Sequence, residues 1–490
     1  MLARVGALVL GLALLPTGVV QAQTPGVSPN PMAGDAMLGE QYCFDAPWTN
    51  SGSPGYGPYL RLMLPPELSF DSGTLFGTGL TVVSNQVFPA APPVQLIDPL
   101  ILAPASNVVT GTAGWRMVIL EMPVGSVVTG GPDMTSSICV TSNNAPPNLA
   151  NVGTPYPIQI TPIYRYGNTP TGAAGSIVGA QVNPTVTPQV LILDKTNTAP
   201  ESERPPGPAW PYDYVLSVDI ANGALINPLT IGDTLPPNVQ FVGPITITGG
   251  VGCSVTTSPS TSTPGGNVLV TCTGNTLGNL GGGDVVVSFP VYITDILNET
   301  TCDVQTQTNT ARANSTYMPA GGGAGIALPE AIDTSIVSAE HVVVQKGANY
   351  DQRVPGDVVT YTLNLQTTEY GTTNALSVHD VMADGVDFTV GSAAISFNGG
   401  APAGITPVYT PGVNDDLVFN VITAYGGNIP PATAIQITYT ADVRQNYKVA
   451  PQPPVLANDP LSNNAEATFS LVEGALDCSD DTAATVLVDP

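Results

Sequence analysis

Basic residues are the scarcest component of this 490-residue chain. Eleven Lys and Arg stand against 37 Asp and Glu, for a formal net charge of −26. That balance excludes nucleic acid as a partner, because no basic patch is present to neutralise phosphates. It also disfavours acidic membrane surfaces. Histidine is nearly absent: His341 sits in a strand-like run and His379 beside Asp380, and each reads as structural. Imidazole is the usual general base near neutral pH and a common metal ligand, so two isolated copies leave little for either chemistry. HExxH, a G-x-S-x-G elbow and a phosphate-cradling loop are missing too; the GGGD at 281–284 leads into a strand-like run rather than a helix. A paired-carboxylate glycosidase needs no local motif. With aromatics at 6% and only Trp48, Trp115 and Trp210, however, a sugar-stacking cleft has little to be built from. The chain does not read as an enzyme.

Long apolar runs are lacking as well. After Arg4 the run VGALVLGLALL ends at Pro16-Thr17-Gly18, and Val20-Gln21-Ala22 supplies small residues for cleavage, so residues 1–22 read as an export signal. Nothing later reaches the roughly 18 apolar residues a membrane helix requires, and no transmembrane segment is expected in the mature chain. No LPxTG-type or lipid anchor is visible. Amphipathic helical periodicity is also absent. What is abundant is 52 Gly, 49 Pro and alternating segments such as VTYTLNLQ and DVVVSFPVYI, the pattern of half-buried strands separated by turns.

Those strands recur. GEQYCFDAPWTN…LMLPPELSF, PYDYVLSVDIAN…DTLPPNVQF and GDVVTYTLNLQTT…DVMADGVDF place Tyr42 before Phe70, Tyr214 before Phe241 and Tyr361 before Phe388 at nearly equal intervals. Each then reaches an Asn-x-Ala or its counterpart, at Asn143, Asn309 and Asn463. Three copies of a β-rich unit imply a repeat array. Gly- and Pro-rich joints place the units at 23–188, 189–333 and 334–490, the first divergent and carrying a Pro-rich insertion. The expected fold is all-β, a tandem array of three immunoglobulin-like antiparallel sandwiches. The closing ATVLVDP either completes the third unit or offers a strand to a neighbouring molecule.

Six cysteines in an exported chain imply disulfides. Cys253 and Cys272 flank a Ser/Thr/Pro/Gly stretch, and Cys43 and Cys139 belong to one unit, so these are paired. Cys302 and Cys478 remain for each other across two units. The excess acid reads mainly as a solubility device. Its alternative use is calcium, at Asp415-Asp416 or at Asp477 with Asp480-Asp481, although neither has EF-hand spacing. No other cofactor is expected. Asn298-Glu299-Thr300 and Asn314-Ser315-Thr316 fit the glycan-acceptor pattern.

The chain holds three lysines, and two occupy equivalent places: Lys195 ends LILDK and Lys346 ends VVVQK. Asp233 in DTLPP and Asp380 in DVMAD are equivalent, and so are Asn309 and Asn463. The first unit has no lysine and carries Leu62 where the aspartate would be, so both are missing together. Lysine, carboxyl and asparagine packed in an apolar interior can form an intramolecular amide with loss of ammonia. Burial frees the amine by lowering its pKa and keeps the acid protonated by raising its pKa; the acid then polarises the asparagine carbonyl. The competing reading makes each lysine a solvated strand end and each aspartate a turn cap before Pro.

The pattern (P)GD-x-V-x-Y-x-L-x-L…D-x-LP-x-x-V-x-F…N-x-A resembles a conserved repeat domain of bacterial surface proteins, catalogued as a domain of unknown function of the eleventh type. It is also similar to the isopeptide-forming domains of fimbrial proteins. VPGDVVTYTLNL and DTLPPNVQF carry the match in the second and third units, whereas the first keeps only GEQYCFDAPWTN and LMLPPELSF. The resemblance implies an immunoglobulin-like sandwich, export and a cell-surface or adhesive role. It implies a Lys195–Asn309 and a Lys346–Asn463 cross-link, with Asp233 and Asp380 as the assisting acids. The expected protein is thus a secreted or surface-held adhesin, fimbrial or surface-layer component, binding an extracellular protein or glycan or assembling with itself. The alternative is a secreted carbohydrate-binding or accessory module of a glycan-degrading system.

Overall fold

A computed structural model describes residues 24–489 apart from 30–32, 102–106, 130–133, 144, 147, 150–151, 168, 171–175, 299–300, 321, 458 and 473–477. The segment read as an export signal, residues 1–22, lies outside the described residues. Strands dominate, and one short α-helix occurs among the described residues, Val421–Tyr425. Asn420 caps it by accepting from Thr423 N at 2.9 Å, and Gly426 ends it at φ 91°, a conformation glycine adopts without a Cβ penalty.

The chain divides into two compact units, Met1–Val190 and Leu191–Pro490. In the first, one sheet runs Pro25–Val27, Gln41–Asn50, Met134–Ser142, Leu68–Leu75, and the facing sheet runs Gln159–Tyr166, Gly55–Leu64, Arg116–Glu121, Thr81–Val87. The second unit holds two such sheet pairs. The first pair sets Leu191–Asn197, Tyr212–Ile220, Val285–Ile293 and Val239–Phe241 against Ala331–Ala339, Gln305–Tyr317, Leu225–Leu235, Gly266–Cys272 and Cys253–Thr257. The second sets Val342–Ala348, Val358–Thr367, Ala434–Val443 and Ala394–Phe397 against Cys478–Val488, Pro460–Leu471, Thr373–Val381, Asp416–Asn420 and Val408–Thr410. The division expected at 333 falls inside the strand Ala331–Ala339. The closing strand pairs along Pro460–Leu471 within its own chain.

Alternation explains the packing. Cys478–Val488 buries every second residue from Cys478 through Val488, and Tyr212–Ile220 does the same. Inward positions of the two facing sheets then interdigitate. Val344, Tyr361, Leu363, Val378, Phe419, Ile437, Tyr439 and Val486 are at most 1% exposed in the second sandwich of the second unit. Each such aliphatic or aromatic side chain contributes about 1.5–3 kcal/mol by leaving water.

The two sandwiches of the second unit are tied at their junction. Arg204 Nη1 donates to Gln366 Oε1 at 2.9 Å, Trp210 Nε1 donates to Thr367 O at 2.8 Å, and Thr482 Oγ1 donates to Glu201 Oε1 at 2.6 Å. Gly207 lies where any Cβ would meet the Glu369 side chain at 2.5 Å, so the close approach depends on glycine. The Cys302–Cys478 pair, with sulfurs 2.06 Å apart, adds a covalent tie.

Candidate functional site

The alternation of Leu191–Asn197 turns Leu191, Leu193 and Lys195 inward. Lysine therefore occupies a core position, and its side chain is 0% exposed. Its Nζ pairs with Asp233 Oδ2, which comes from the facing sheet and is equally buried, and lies 4.3 Å from the Tyr214 ring centroid. Asp233 is in register with Ala311, so Asn309 lies diagonally beside it on the same inner face, at 0% exposure. Its side-chain amide adjoins the Asp233 carboxyl and the Tyr214 hydroxyl and opposes the upward push that burial gives each.

The second sandwich repeats the arrangement. Lys346 Nζ lies 2.5 Å from Asp380 Oδ2, both side chains being 0% exposed. Asp380 is in register with Ala465, which puts Asn463 in the diagonal place held by Asn309. A tyrosine joins the group: Tyr439 Oη donates to Asp380 Oδ2 at 2.7 Å and accepts from Asn463 Nδ2 at 2.8 Å. Burial is the largest influence on all four ionisable groups. It pushes Lys346 down to about 8 and Lys195 down as well, and it pushes Asp233 and Asp380 up, against the attraction of each pair. The low dielectric thus favours a neutral amine beside a neutral carboxylic acid, the protonation state in which an amine can attack an amide.

Lys195, Asp233 and Asn309, and likewise Lys346, Asp380 and Asn463, are therefore brought to one place from sites far apart in sequence. The reading of the lysines as solvated strand ends does not survive this burial. Tyr439 was not singled out from the sequence. Its only signal was the inward alternation Ile435, Ile437, Tyr439, Ala441 of the run AIQITYTADV. The first unit has no equivalent: Leu62 is in register with Ile160, as Asp233 is with Ala311, so Ile158 stands where the asparagine would be. The repeat asparagine assigned there, Asn143, is instead exposed and donates to Pro66 O at 2.8 Å. The aspartate and asparagine positions are thus apolar in the first unit, which contains no lysine in its sequence.

The cysteines meet as Cys43 with Cys139, Cys253 with Cys272 and Cys302 with Cys478, at S–S distances of 2.09, 2.01 and 2.06 Å. The first two pairs link directly registered residues of neighbouring strands. The calcium candidates diverge. Asp415 is 1% exposed and held by Lys448 Nζ at 2.8 Å and by Phe388 N at 3.0 Å, while Asp416 pairs with His379 at 2.6 Å. Asp480 points inward and accepts from Val344 N at 2.6 Å, whereas Asp481 is exposed on the other face of the strand. Asp477 lies outside the described residues. Neither pair offers the converging oxygens calcium needs. Asp480 instead approaches Glu203 and Glu340, with oxygens within 4.8 Å of one another, at the junction of the two sandwiches. Of the glycan-acceptor patterns, Asn314 is engaged with Glu330 Oε1 at 2.9 Å, and Glu299 and Thr300 lie outside the described residues.

No protein-family model matches the chain, and no curated protein does. Several solved structures show a distant similarity to the chain, pilin and adhesin domains among them. The pilus backbone protein of Streptococcus pneumoniae is 16% identical over 26% of this chain and 32% of its own, with a TM-score of 0.22. This chain therefore spans about a third of that protein. The full-length major pilin of Corynebacterium diphtheriae is 10% identical over 53% of this chain and 61% of its own, with a TM-score of 0.24. The collagen-binding subdomain of an Enterococcus faecalis surface protein is 14% identical over 30% and 96%, with a TM-score of 0.21. Overlaps this low leave the functional reading to the residues themselves.

Proposed function

We propose that this chain is an exported structural or adhesive protein of the bacterial surface whose second unit staples itself with two amide bonds, Lys195–Asn309 and Lys346–Asn463. The observation that carries the reading is the pair of fully buried Lys/Asp/Asn groups, built alike in two sandwiches and absent together from the first unit. A buried ion pair alone gives a fold little net stability, since desolvation offsets its attraction. Two repeats of so costly a group are accounted for if they react. The repeat family of surface proteins named above is the lineage this reading favours, and self-assembly or an extracellular ligand is its partner class.

Intact mass after full reduction tests it. Each amide expels one ammonia, about 17 Da, so the wild-type chain is expected about 34 Da below its sequence mass. Lys195→Ala and Lys346→Ala should each restore one of the two losses. A mass equal to the sequence would sink the cross-links. The carbohydrate-binding alternative finds less support. Trp48 is 1% exposed, Trp210 is committed to the sandwich junction, and the groove of about 620 Å³ over Gly232, Asn267, Thr308 and Arg312 has no aromatic lining.

A further inference from the structure

The two sites differ in where one hydroxyl sits. Tyr214 and Tyr361 are equivalent, each buried beside its lysine. Tyr361 is in register with Tyr439, whereas Tyr214 is in register with Phe289. Tyr439 therefore has a ring but no hydroxyl as its counterpart in the first sandwich. The extra hydroxyl there is on Tyr212, which donates to Tyr214 Oη at 3.3 Å, while the position equivalent to Tyr212 is Val359. So each site has a second hydroxyl, and only that of Tyr439 lies between the acid and the amide.

That position matters because of how the reaction balances. When the neutral Lys346 amine attacks Asn463 Cγ, the Nζ–Cγ bond forms, the Cγ–Nδ2 bond breaks, and ammonia leaves. Across the whole reaction Nζ loses one proton and Nδ2 gains one. Nothing is oxidised or reduced. Asp380 Oδ2 lies 2.5 Å from Nζ and 2.7 Å from Tyr439 Oη, and Oη lies 2.8 Å from Nδ2. Nδ2 donates to Oη while the amide is planar. Once Cγ becomes tetrahedral Nδ2 acquires a lone pair, and the same contact can carry a proton the other way.

The geometry points to Tyr439 as a catalytic residue of the second sandwich, relaying to the departing Asn463 nitrogen the proton that Asp380 takes from Lys346. This rests on the cross-link reading above. It assigns the relay to one sandwich alone; Phe289 leaves the first sandwich to close by another proton route. The relay is a short hydrogen-bonded chain in which the Lys346 and Asp380 side chains are 0% exposed and Tyr439 and Asn463 at most 1%, so bulk water does not substitute for it.

The test is Tyr439→Phe in the full-length chain, followed by intact mass and by mapping of the Lys346–Asn463 and Lys195–Asn309 linked peptides after refolding. Removing a positioned general acid typically slows a step about 100-fold or more. The expected result is prompt loss of one ammonia, about 17 Da, from the Lys195 site, with the Lys346 linkage appearing at least about 100-fold more slowly than in wild type. Both linkages forming at wild-type rates in Tyr439→Phe would overturn the relay and leave the cross-links standing. No ammonia loss in wild type would overturn the cross-links and the relay with them. Should Tyr439→Phe fail to fold, 3,5-difluorotyrosine placed at 439 keeps the ring and changes the hydroxyl's acidity. A displaced pH profile for the Lys346 linkage alone supports the relay; an unchanged profile overturns it.

Discussion

At the scale of single residues, the site is defined by what burial does to charge. The Lys195 and Asp233 side chains are both 0% exposed, so each depends on the other. Asp233→Ala leaves the buried Lys195 amine without its partner, and breaking a buried pair in this way typically costs about 3–5 kcal/mol. Asn309→Ala also abolishes the bond but removes a neutral amide and leaves the Lys195–Asp233 pair in place. Urea unfolding should therefore find Asp233→Ala markedly less stable than Asn309→Ala; equal stabilities would show that the pair is not buried in solution. Acidity gives a second expectation. Bond formation at Lys346 requires one proton shared between Asp380 and Lys346, since two protons leave the amine charged and none leaves the acid unable to donate. With Lys346 pushed down to about 8 and Asp380 raised, the rate should follow a bell in pH, falling on either side. A rate that climbs without limit toward alkaline pH would mean that the acid takes no part. Lysine, aspartate and asparagine were legible in the sequence because polar residues recurred at matched places against an apolar alternation. Tyr439 was not, because its position reads as ordinary core. Its hydroxyl acquires a role only through the cross-sheet proximity that folding creates.

At the scale of elements, the junction between the two sandwiches of the second unit gathers acids from three segments. Glu203 belongs to the short strand Glu203–Arg204, Glu340 links Ala331–Ala339 to Val342–Ala348, and Asp480 lies on the closing strand. Burial is the main cause that raises Glu203 to about 8, Glu340 to about 7 and Asp480 to about 6, and the neighbouring carboxylates add to it. A carboxyl whose pKa is raised on folding stabilises the fold below its unfolded value, and that stability is lost as pH climbs through the folded value. The junction should thus be tightest near pH 4.5 and loosen toward pH 8. Hydrogen exchange at the Val344 amide, which donates to Asp480, reports it. Protection, corrected for intrinsic exchange, should fall across that window in wild type and fall less in Glu203→Gln; a flat profile would mean that the three acids are already relaxed by water. The strands themselves were legible from alternation. This cluster was not, because its members are separated by well over a hundred residues and only the docking of the Glu201–Trp210 segment unites them.

At the scale of the whole molecule, the all-β architecture and the repeated sheet order followed from the recurrence of Tyr, Phe and Pro landmarks. The equivalence of the first unit was blurred by its Pro-rich insertion, so Asn143 was matched where the sheet register puts Ile158. The Cys302–Cys478 bridge has a mechanical consequence. Let tension enter at residue 191 and leave at residue 490. With the proposed amides in place, the covalent route runs from Lys195 to Asn309, back along the chain to Cys302, across to Cys478 and out. Apart from its closing strand Cys478–Val488, which lies on the route, the sandwich that contains Lys346 hangs beside it as a closed loop that the load bypasses. Reducing the bridge sends the load through it, from Lys346 to Asn463. Single-molecule stretching should therefore show no lengthening from Lys346→Ala while the disulfide is intact, and a new unfolding step in the same variant once a reductant is added. The redox state of its surroundings would then set how much of the protein stands under strain and how much is held in reserve.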